Sequence, residues 1–507
     1  VSLDHPADWG VIEASEALHA KRISAVELTG AYLSRIATRD DKYGAWIRVY
    51  EQEARAAAAA ADQTLTAGTA GPLTGIPVGL KEVVGVSGLP LTADSAVLQG
   101  NVARIDATAW TNLREAGMVL LGHLHCGEFA CGTWGINPWN ISLSPGGSSS
   151  GSGIALATRT APATVGSDGR GSIRMPAAFN SVTGVKPTFG LISTAGCIPI
   201  TFTYDVVGPM ARSAADCALL LSAMAGRDET DCSTYAQPAP ATYPTHPRPG
   251  TCPAAGTRVG VPRFADHPFS DGVATMFERF KKDLTGIGVE LVEFDWPENP
   301  LETVSDGAAA WAVILAAETR VLHAQFDGRG HLYRDEFTTM FADMDNAGSA
   351  IDYVRAQANR AEYARTWTQI FAEHRLAAIV HPGSHSEPFG AIADGALPLM
   401  QFGCWNDANF PVVSVPAGFS PTDGSPIGMQ LAGPPFTEAV LLQLAIDIQA
   451  VTDHHLQIPP SLDDRPVFTG PRRKEGPDDQ APYVPLPSPL GSTNFSASSD
   501  AHSRTLS

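Results

Sequence analysis

The chain has 507 residues, 44% apolar and 17% charged, a composition that builds a large buried core rather than a disordered or fibrous chain. Its 53 acidic against 34 basic residues give a net charge of −19, which argues against nucleic acid and anionic membranes as partners, since both need a basic face. No run is long and apolar enough to span a bilayer, no secretory leader pattern opens the chain, and the seven scattered cysteines hold no C-x-x-C pair, so reduced thiols and a cytoplasmic location are expected.

In chain order, Ser24 and Glu27 form an S-x-x-E capping box ahead of Leu28, Tyr32, Leu33 and Ile36 at helical spacing, which predicts a helix. The alanine-rich EQEARAAAAAADQTL predicts a second. LTGIPVGLKEVV is an apolar run broken by Gly and Pro, as suits a buried strand leading into a turn. DATAWTNLREAG followed by MVLLGHL reads as helix, glycine stop, strand. VATMFERFKKDLTGIG with VELVEF repeats that order, as does FAEHRLAAIVHP. Residues 236–253 carry six prolines, which predicts a surface excursion, and Cys232 and Cys252 flank that loop. From Pro466 the chain turns to Pro, Ser, Gly and charge without periodicity. Helices alternating with short buried strands predict an α/β fold, a single large domain over 1–465 with a central mixed β-sheet covered by helices on both faces. A flexible tail over 466–507 is expected to follow it.

Two Gly/Ser clusters carry the candidate chemistry. SPGGSSSGSGIALATRT (144–160) runs straight into an apolar, helix-like segment, which a flexible linker does not do. It lacks the Lys-Ser or Lys-Thr of a phosphate-binding loop and has no G-x-G-x-x-G. GSSSG at 147–151 matches a G-x-S-x-G nucleophile elbow centred on Ser149, as in an α/β-hydrolase-type esterase. An elbow needs a buried strand directly before it, NPWNISLSP is a poor one, and no later histidine has the setting of a base. The second cluster, GSDGRGSIRMPAA (166–178), is either a surface turn or a nucleophile, Ser172, set among backbone N–H groups. Lys81 follows six uncharged residues; it is a structural ion-pair residue when charged, and a base only if burial strips its proton.

GIPVGLKEVV, SPGGSSSGSG, GSDGRGSIRMPAA and VTGVKPTFGLIS together resemble, in order and separation, the motifs of the amidase signature family. DVVGPMARSAADCALLL and FPVVSVPAGFSPTDGSPIGMQLAGPPF extend the resemblance to about Pro460. It implies the amidase signature fold and a catalytic triad of Lys81, Ser148 and Ser172, with a cis peptide before Ser148 and Ser172 24 residues after it. The backbone N–H groups of Gly169, Arg170, Gly171 and Ser172 would then form the oxyanion hole, Gly147, Ser149 and Ser150 would support the turn, and Asp168 and Arg174 would hold the loop. Neutral Lys81 would draw a proton through the Ser148 hydroxyl, which donates one hydrogen bond while accepting another, and so activate Ser172.

The implied activity is hydrolysis of a carboxamide, anilide or carbamate C–N bond of a small molecule through an acyl-enzyme, as in a standalone amidase, aryl acylamidase or urethanase. No cofactor and no metal are implied, and the expected state is a monomer or homodimer. The alternative within the same resemblance is the glutamine-amidase subunit of an amidotransferase, which needs partner subunits. The sequence departs from the common pattern at Arg170, where glycine is usual, at Ser150, again a glycine position, and in a shortened CGEFACGTWGINPWN. Two roles stay open for the Arg170 side chain, engagement of substrate or pairing within the loop. Residues 300–400 match no family motif; Trp311, Phe326, Phe337, Phe341 and Met400 are the aromatic and apolar candidates there for pocket wall or core.

Overall fold

The computed structural model describes residues 5–238, 242–264, 269–302, 304–305, 308–340, 348–388, 402–460 and 462–463. The expected tail, 466–507, lies outside them, as do Phe341 and Met400.

One sheet of 11 strands forms the centre. It comprises β1 (Trp46–Val49), β2 (Pro77–Lys81), β3 (Val119–Leu124), β4 (Ala163–Asp168), β5 (Thr183–Lys186) and β6 (Val206–Ala211). β7 (Arg258–Arg263) and β8 (Glu290–Asp295) follow, then, after the two-stranded ribbon of β9 (Val304–Ser305) and β10 (Ala308–Ala309), β11 (Ala378–Pro382), β12 (Val412–Phe419) and β13 (Pro426–Ala432). The order across the sheet is β1-β3-β2-β4-β6-β5-β12-β13-β11-β7-β8. Parallel pairs (β2 with β3 and β4, β7 with β8 and β11) occur beside antiparallel ones, so the sheet is mixed and the α/β expectation holds. β2, β3 and β4 are buried at every position, the pattern of strands covered by helices on both faces.

The helices start and stop where the sequence signals lie. Ser24 Oγ accepts from the Glu27 N–H at 3.1 Å and the Glu27 carboxylate accepts from the Ser24 N–H at 2.9 Å, opening the helix Ala25–Tyr43. The alanine-rich helix runs Glu51–Ala67. The helix–strand pairs fall at Thr108–Glu115 with β3, Asp271–Gly286 with β8, and Ala350–His374 with β11. The proline-rich excursion has no helix or strand among its described residues beyond Gln237, yet it is tethered: Tyr243 is buried, and Arg248 grips the buried Asp447 through its N–H at 2.8 Å and Nε at 2.7 Å. Cys232 and Cys252 are both exposed, and both thiols are free. Among the described residues no helix is long and apolar enough to cross a membrane.

This topology sets where a site can form. Parallel β2 and β4 are neighbours, with Gly79 opposite Thr164 and Leu80 opposite Val165. Their C-terminal residues, Lys81 and Asp168, therefore emerge side by side at one edge, the end of a parallel sheet where ligands bind. The helix Ser150–Ala157 leads into β4, and the helix Arg174–Phe179 follows it, so both Gly/Ser clusters are helix entries at that same edge. A second apolar cluster, with Trp367 and Trp405 among its fully buried members, packs the helix Ala350–His374 beside it.

Candidate active site

Lys81 is wholly buried at the end of β2, and its ammonium donates to three oxygens: Ser148 Oγ at 2.7 Å, Ser167 Oγ at 2.9 Å and the Ser167 carbonyl at 3.3 Å. Burial disfavours the charged form and pulls its pKa down to about 8. Nothing in the local sequence marks Ser167 as a partner of Lys81. Its place on β4, the parallel neighbour of β2, is the signal that identifies it, and that pairing is a tertiary fact.

The peptide between Gly147 and Ser148 is cis. Gly147 is needed for close approach, since a Cβ there would stand 2.1 Å from the Gly132 carbonyl. The next two serines are structural in their contacts. Ser149 Oγ accepts from the Ser167 N–H at 3.3 Å and donates to the Ser167 carbonyl at 3.2 Å, and Ser150 Oγ accepts from the Trp134 N–H at 3.1 Å. Ser149 is fully buried and no strand directly precedes it. That corrects the elbow reading: the Ser149 hydroxyl is committed to the backbone of β4 and cannot meet a substrate.

Ser172 is partly exposed in the turn between β4 and the helix Arg174–Phe179, and its carbonyl accepts from the Ser149 N–H at 3.0 Å. That bond joins the two Gly/Ser clusters directly. Among the described residues the Ser172 hydroxyl has no hydrogen-bond partner, and the residue is partly exposed.

Asp168 organises this turn from below. Its carboxylate accepts from the Gly171 N–H at 2.6 Å, the Ile173 N–H at 3.1 Å, and Arg174 Nε and NH2 at 2.9 and 3.0 Å. Burial opposes its ionisation, but the Arg174 guanidinium and these donors prevail and hold the carboxyl well below the usual range. Arg174, itself fully buried, also donates to the Phe402 carbonyl at 2.7 Å, to Gln430 Oε1 at 2.9 Å and to Asn406 Oδ1. Asn406 Nδ2 returns to Asp168 Oδ1 at 3.0 Å. Phe402 and Asn406 come from distant sequence outside the quoted motifs, and Gln430 lies within FPVVSVPAGFSPTDGSPIGMQLAGPPF without any local feature that singles it out.

One expected oxyanion donor is already occupied. The Gly171 N–H points to Asp168 because a buried carboxylate draws in nearby donors, so Gly169, Arg170 and Ser172 are what remains of the expected set. Gly171 has φ +116, and a Cβ there would meet Phe402 Cβ at 2.6 Å, so only glycine fits.

The Arg170 side chain turns away along the rim. NH1 donates to Asp407 Oδ1 at 2.6 Å and NH2 to Glu302 Oε1 at 2.8 Å, and the guanidinium carbon lies 4.3 Å from the centre of the Trp311 ring. Of the residues proposed for the pocket, Trp311 thus stacks on Arg170. Phe326 and Phe337 are buried with Phe129, His323 and Tyr333 in an aromatic cluster and belong to the core.

A second buried lysine, Lys186 on β5, also has its pKa lowered by burial, to about 7. Its ammonium donates to the Pro187 carbonyl at 3.1 Å and to no serine among the described residues, so its setting differs from that of Lys81. No group of three or more His, Cys, Asp or Glu placed to hold a metal ion occurs among the described residues.

The family model described as Amidase matches residues 27–442. A relative from Roseiflexus sp. (strain RS-1), named as the A-type subunit of glutamyl-tRNA(Gln) amidotransferase, is 35% identical over 491 residues, spanning 88% of this chain and 97% of the relative. Among solved structures, the native peptide amidase from Stenotrophomonas maltophilia superposes with a TM-score of 0.78 at 29% identity, covering 90% of this chain and 98% of that one. A bacterial aryl acylamidase of the amidase signature enzymes family has the same fold, with a TM-score of 0.78 at 21% identity over 90% of this chain and 99% of that one.

Proposed function

The chain belongs to the amidase signature family, and we propose that it hydrolyses a carboxamide C–N bond through an acyl-enzyme on Ser172, with Lys81 as base and Ser148 as relay. The observation that carries this reading is the 2.7 Å contact of Lys81 Nζ with Ser148 Oγ, made by a fully buried lysine whose pKa burial brings to about 8. At that value a useful fraction is free amine near neutral pH, which an exposed lysine is not.

Free Lys81 takes the Ser148 hydroxyl proton as Ser148 takes that of Ser172, and Ser172 Oγ adds to the substrate carbonyl. The tetrahedral oxyanion is held by the backbone N–H groups of Gly169, Arg170 and Ser172. The C–N bond then breaks as the relay returns its proton to the leaving nitrogen. Water attacks the Ser172 ester by the same route, releasing the carboxylic acid and restoring the serine. Every step uses side chains and backbone of this chain.

The second reading, the glutamine-amidase subunit of an amidotransferase, is favoured by curated relatives carrying an amidotransferase name at 35% and 37% identity over most of their length. It uses the same chemistry with glutamine as the amide, and ammonia as a product passed to partner subunits. The two readings divide on substrate, so the test is a panel on the purified chain: glutamine, unrelated primary amides, p-nitroanilides and aryl carbamates. Turnover of glutamine above the others, stimulated by partner subunits, supports the second reading. Turnover of non-glutamine amides, anilides or carbamates by the chain alone supports the first. No turnover and no acylation of Ser172 by any of them refutes both.

A further inference from the structure

Arg170 stands where the family pattern has glycine, between Gly169 and Gly171, and its own N–H is one of the donors assigned to the oxyanion. Gly171 is held by Asp168, but a glycine at 170 would leave that part of the loop free to rotate, and oxyanion donors must lie within about 2.7–3.1 Å of the developing charge. The Arg170 side chain removes that freedom by reaching two other segments. It donates to Asp407 Oδ1 at 2.6 Å and to Glu302 Oε1 at 2.8 Å while stacking on Trp311. The second oxygen of each carboxylate is held as well: Asn299 Nδ2 donates to Asp407 Oδ2 at 3.0 Å, and Trp311 Nε1 donates to Glu302 Oε2 at 3.0 Å. Gly403 leaves the room that the guanidinium occupies, since a Cβ there would stand 2.2 Å from Arg170 NH2. Two carboxylates face one guanidinium, so the cluster offers no net positive charge to a substrate anion. Asp407 is fully buried and Glu302 half exposed, which fixes one end of the bridge in the core and leaves the other at the rim.

We propose that Arg170 is a positioning residue: its bridge to Asp407, Glu302 and Trp311 fixes the oxyanion loop, and its guanidinium does not receive a substrate carboxylate. This rests on Ser172 being the nucleophile, and the test separates the two claims. The probes are a neutral alkyl fluorophosphonate and one of equal length ending in a carboxylate. Ser172 Oγ attacks phosphorus, fluoride leaves, the hydroxyl proton goes to the base, and the phosphoryl oxygen takes the place of the oxyanion. Mass spectrometry identifies the labelled serine, and the second-order labelling rate reports the state of the loop.

In the wild type the label is expected on Ser172. Arg170→Ala should slow labelling roughly 10- to 100-fold, short of the loss from deleting an oxyanion donor outright. The factor should be the same for both probes, with Arg170→Lys intermediate. A loss confined to the carboxylate probe overturns the proposal, because Arg170 would then be an anion receptor. An unchanged rate also overturns it. A label on another serine in the wild type refutes the assignment of Ser172 itself. Should Arg170→Ala fail to fold, Glu302→Gln and Trp311→Ala at the exposed end decide: equal slowing with both probes supports the bridge, and no slowing refutes it.

Discussion

Lys81 Nζ lies 2.7 Å from Ser148 Oγ, and the same ammonium also donates to the hydroxyl and the carbonyl of Ser167. Three acceptors match the three hydrogens of a charged lysine, whereas a free amine has two hydrogens and a lone pair. Losing the proton is therefore what lets Lys81 accept from Ser148. With burial setting the pKa at about 8, the amine is mostly protonated below that value and free above it. Activity should accordingly rise with pH through about 8 and level off beyond. Lys81→Ala should lower kcat/KM by about 10³-fold, within the range of general-base catalysis. The check is a pH–rate profile of both proteins; a rise centred near ~6.5, as for histidine, that survives in Lys81→Ala contradicts the assignment.

Ser167 supplies two of the three acceptors on Lys81. Ser167→Ala removes its hydroxyl from the charged form of the lysine and takes nothing comparable from the free amine. The Lys81 pKa should fall further, and the midpoint of the pH–rate profile should move to lower pH. The rate on the alkaline plateau should drop by about 10-fold or less, because the nucleophile and relay remain. A midpoint that moves upward or stays fixed shows that Ser167 does not tune the base.

Ser172→Ala should abolish turnover with the fold intact, since it deletes the hydroxyl and little volume. Ser149→Ala should keep most of the activity while lowering stability by about 1–3 kcal/mol, because its buried hydroxyl satisfies the Ser167 N–H. Paired kinetics and chemical denaturation of the two variants test this. Loss of activity in Ser149→Ala with normal turnover in Ser172→Ala would reverse the roles of the two serines.

Asp168 and Arg174 form a fully buried pair, so breaking it from one side leaves an uncompensated charge. Asp168→Asn should destabilise the chain by about 3–5 kcal/mol at neutral pH. The folded carboxyl lies well below its ordinary value near ~4, so its contribution is fully present above that value and is lost as the pH falls below it toward the folded pKa. The gap between wild type and Asp168→Asn should therefore narrow in acid. Urea unfolding at about pH 7 and about pH 3, on either side of the ordinary carboxyl value, measures it, and a gap that widens in acid would contradict the sign.

Local signals in the chain were enough to place several of the helices and strands and to draw attention to the two Gly/Ser clusters and Lys81. The Ser24–Glu27 box, the alanine-rich run and the helix–glycine–strand triplets act over a few residues, as capping and periodicity do, and each element formed where its signal lay. Lys81 and Ser172 stand out locally through their uncharged and glycine-rich neighbours, whereas Ser148 was implied only by the resemblance to the amidase signature family, the local G-x-S-x-G pattern pointing to Ser149 instead.

Which groups meet was settled by packing alone. Lys81 reaches Ser167 because β2 and β4 pair in parallel, and Arg174 is held by Phe402, Asn406 and Gln430 because β13 and the segment before β12 return to the turn that carries Ser172. The Gly171 N–H, expected to face the oxyanion, faces Asp168 instead, since a buried carboxylate outcompetes a solvent-facing role for that donor. The choice between substrate and loop for Arg170 likewise had no local signal, because Glu302 and Asp407 lie 132 and 237 residues away. Propensity is encoded by neighbours in the chain; partnership across such distances is fixed only when packing brings buried charges within reach of their counter-ions.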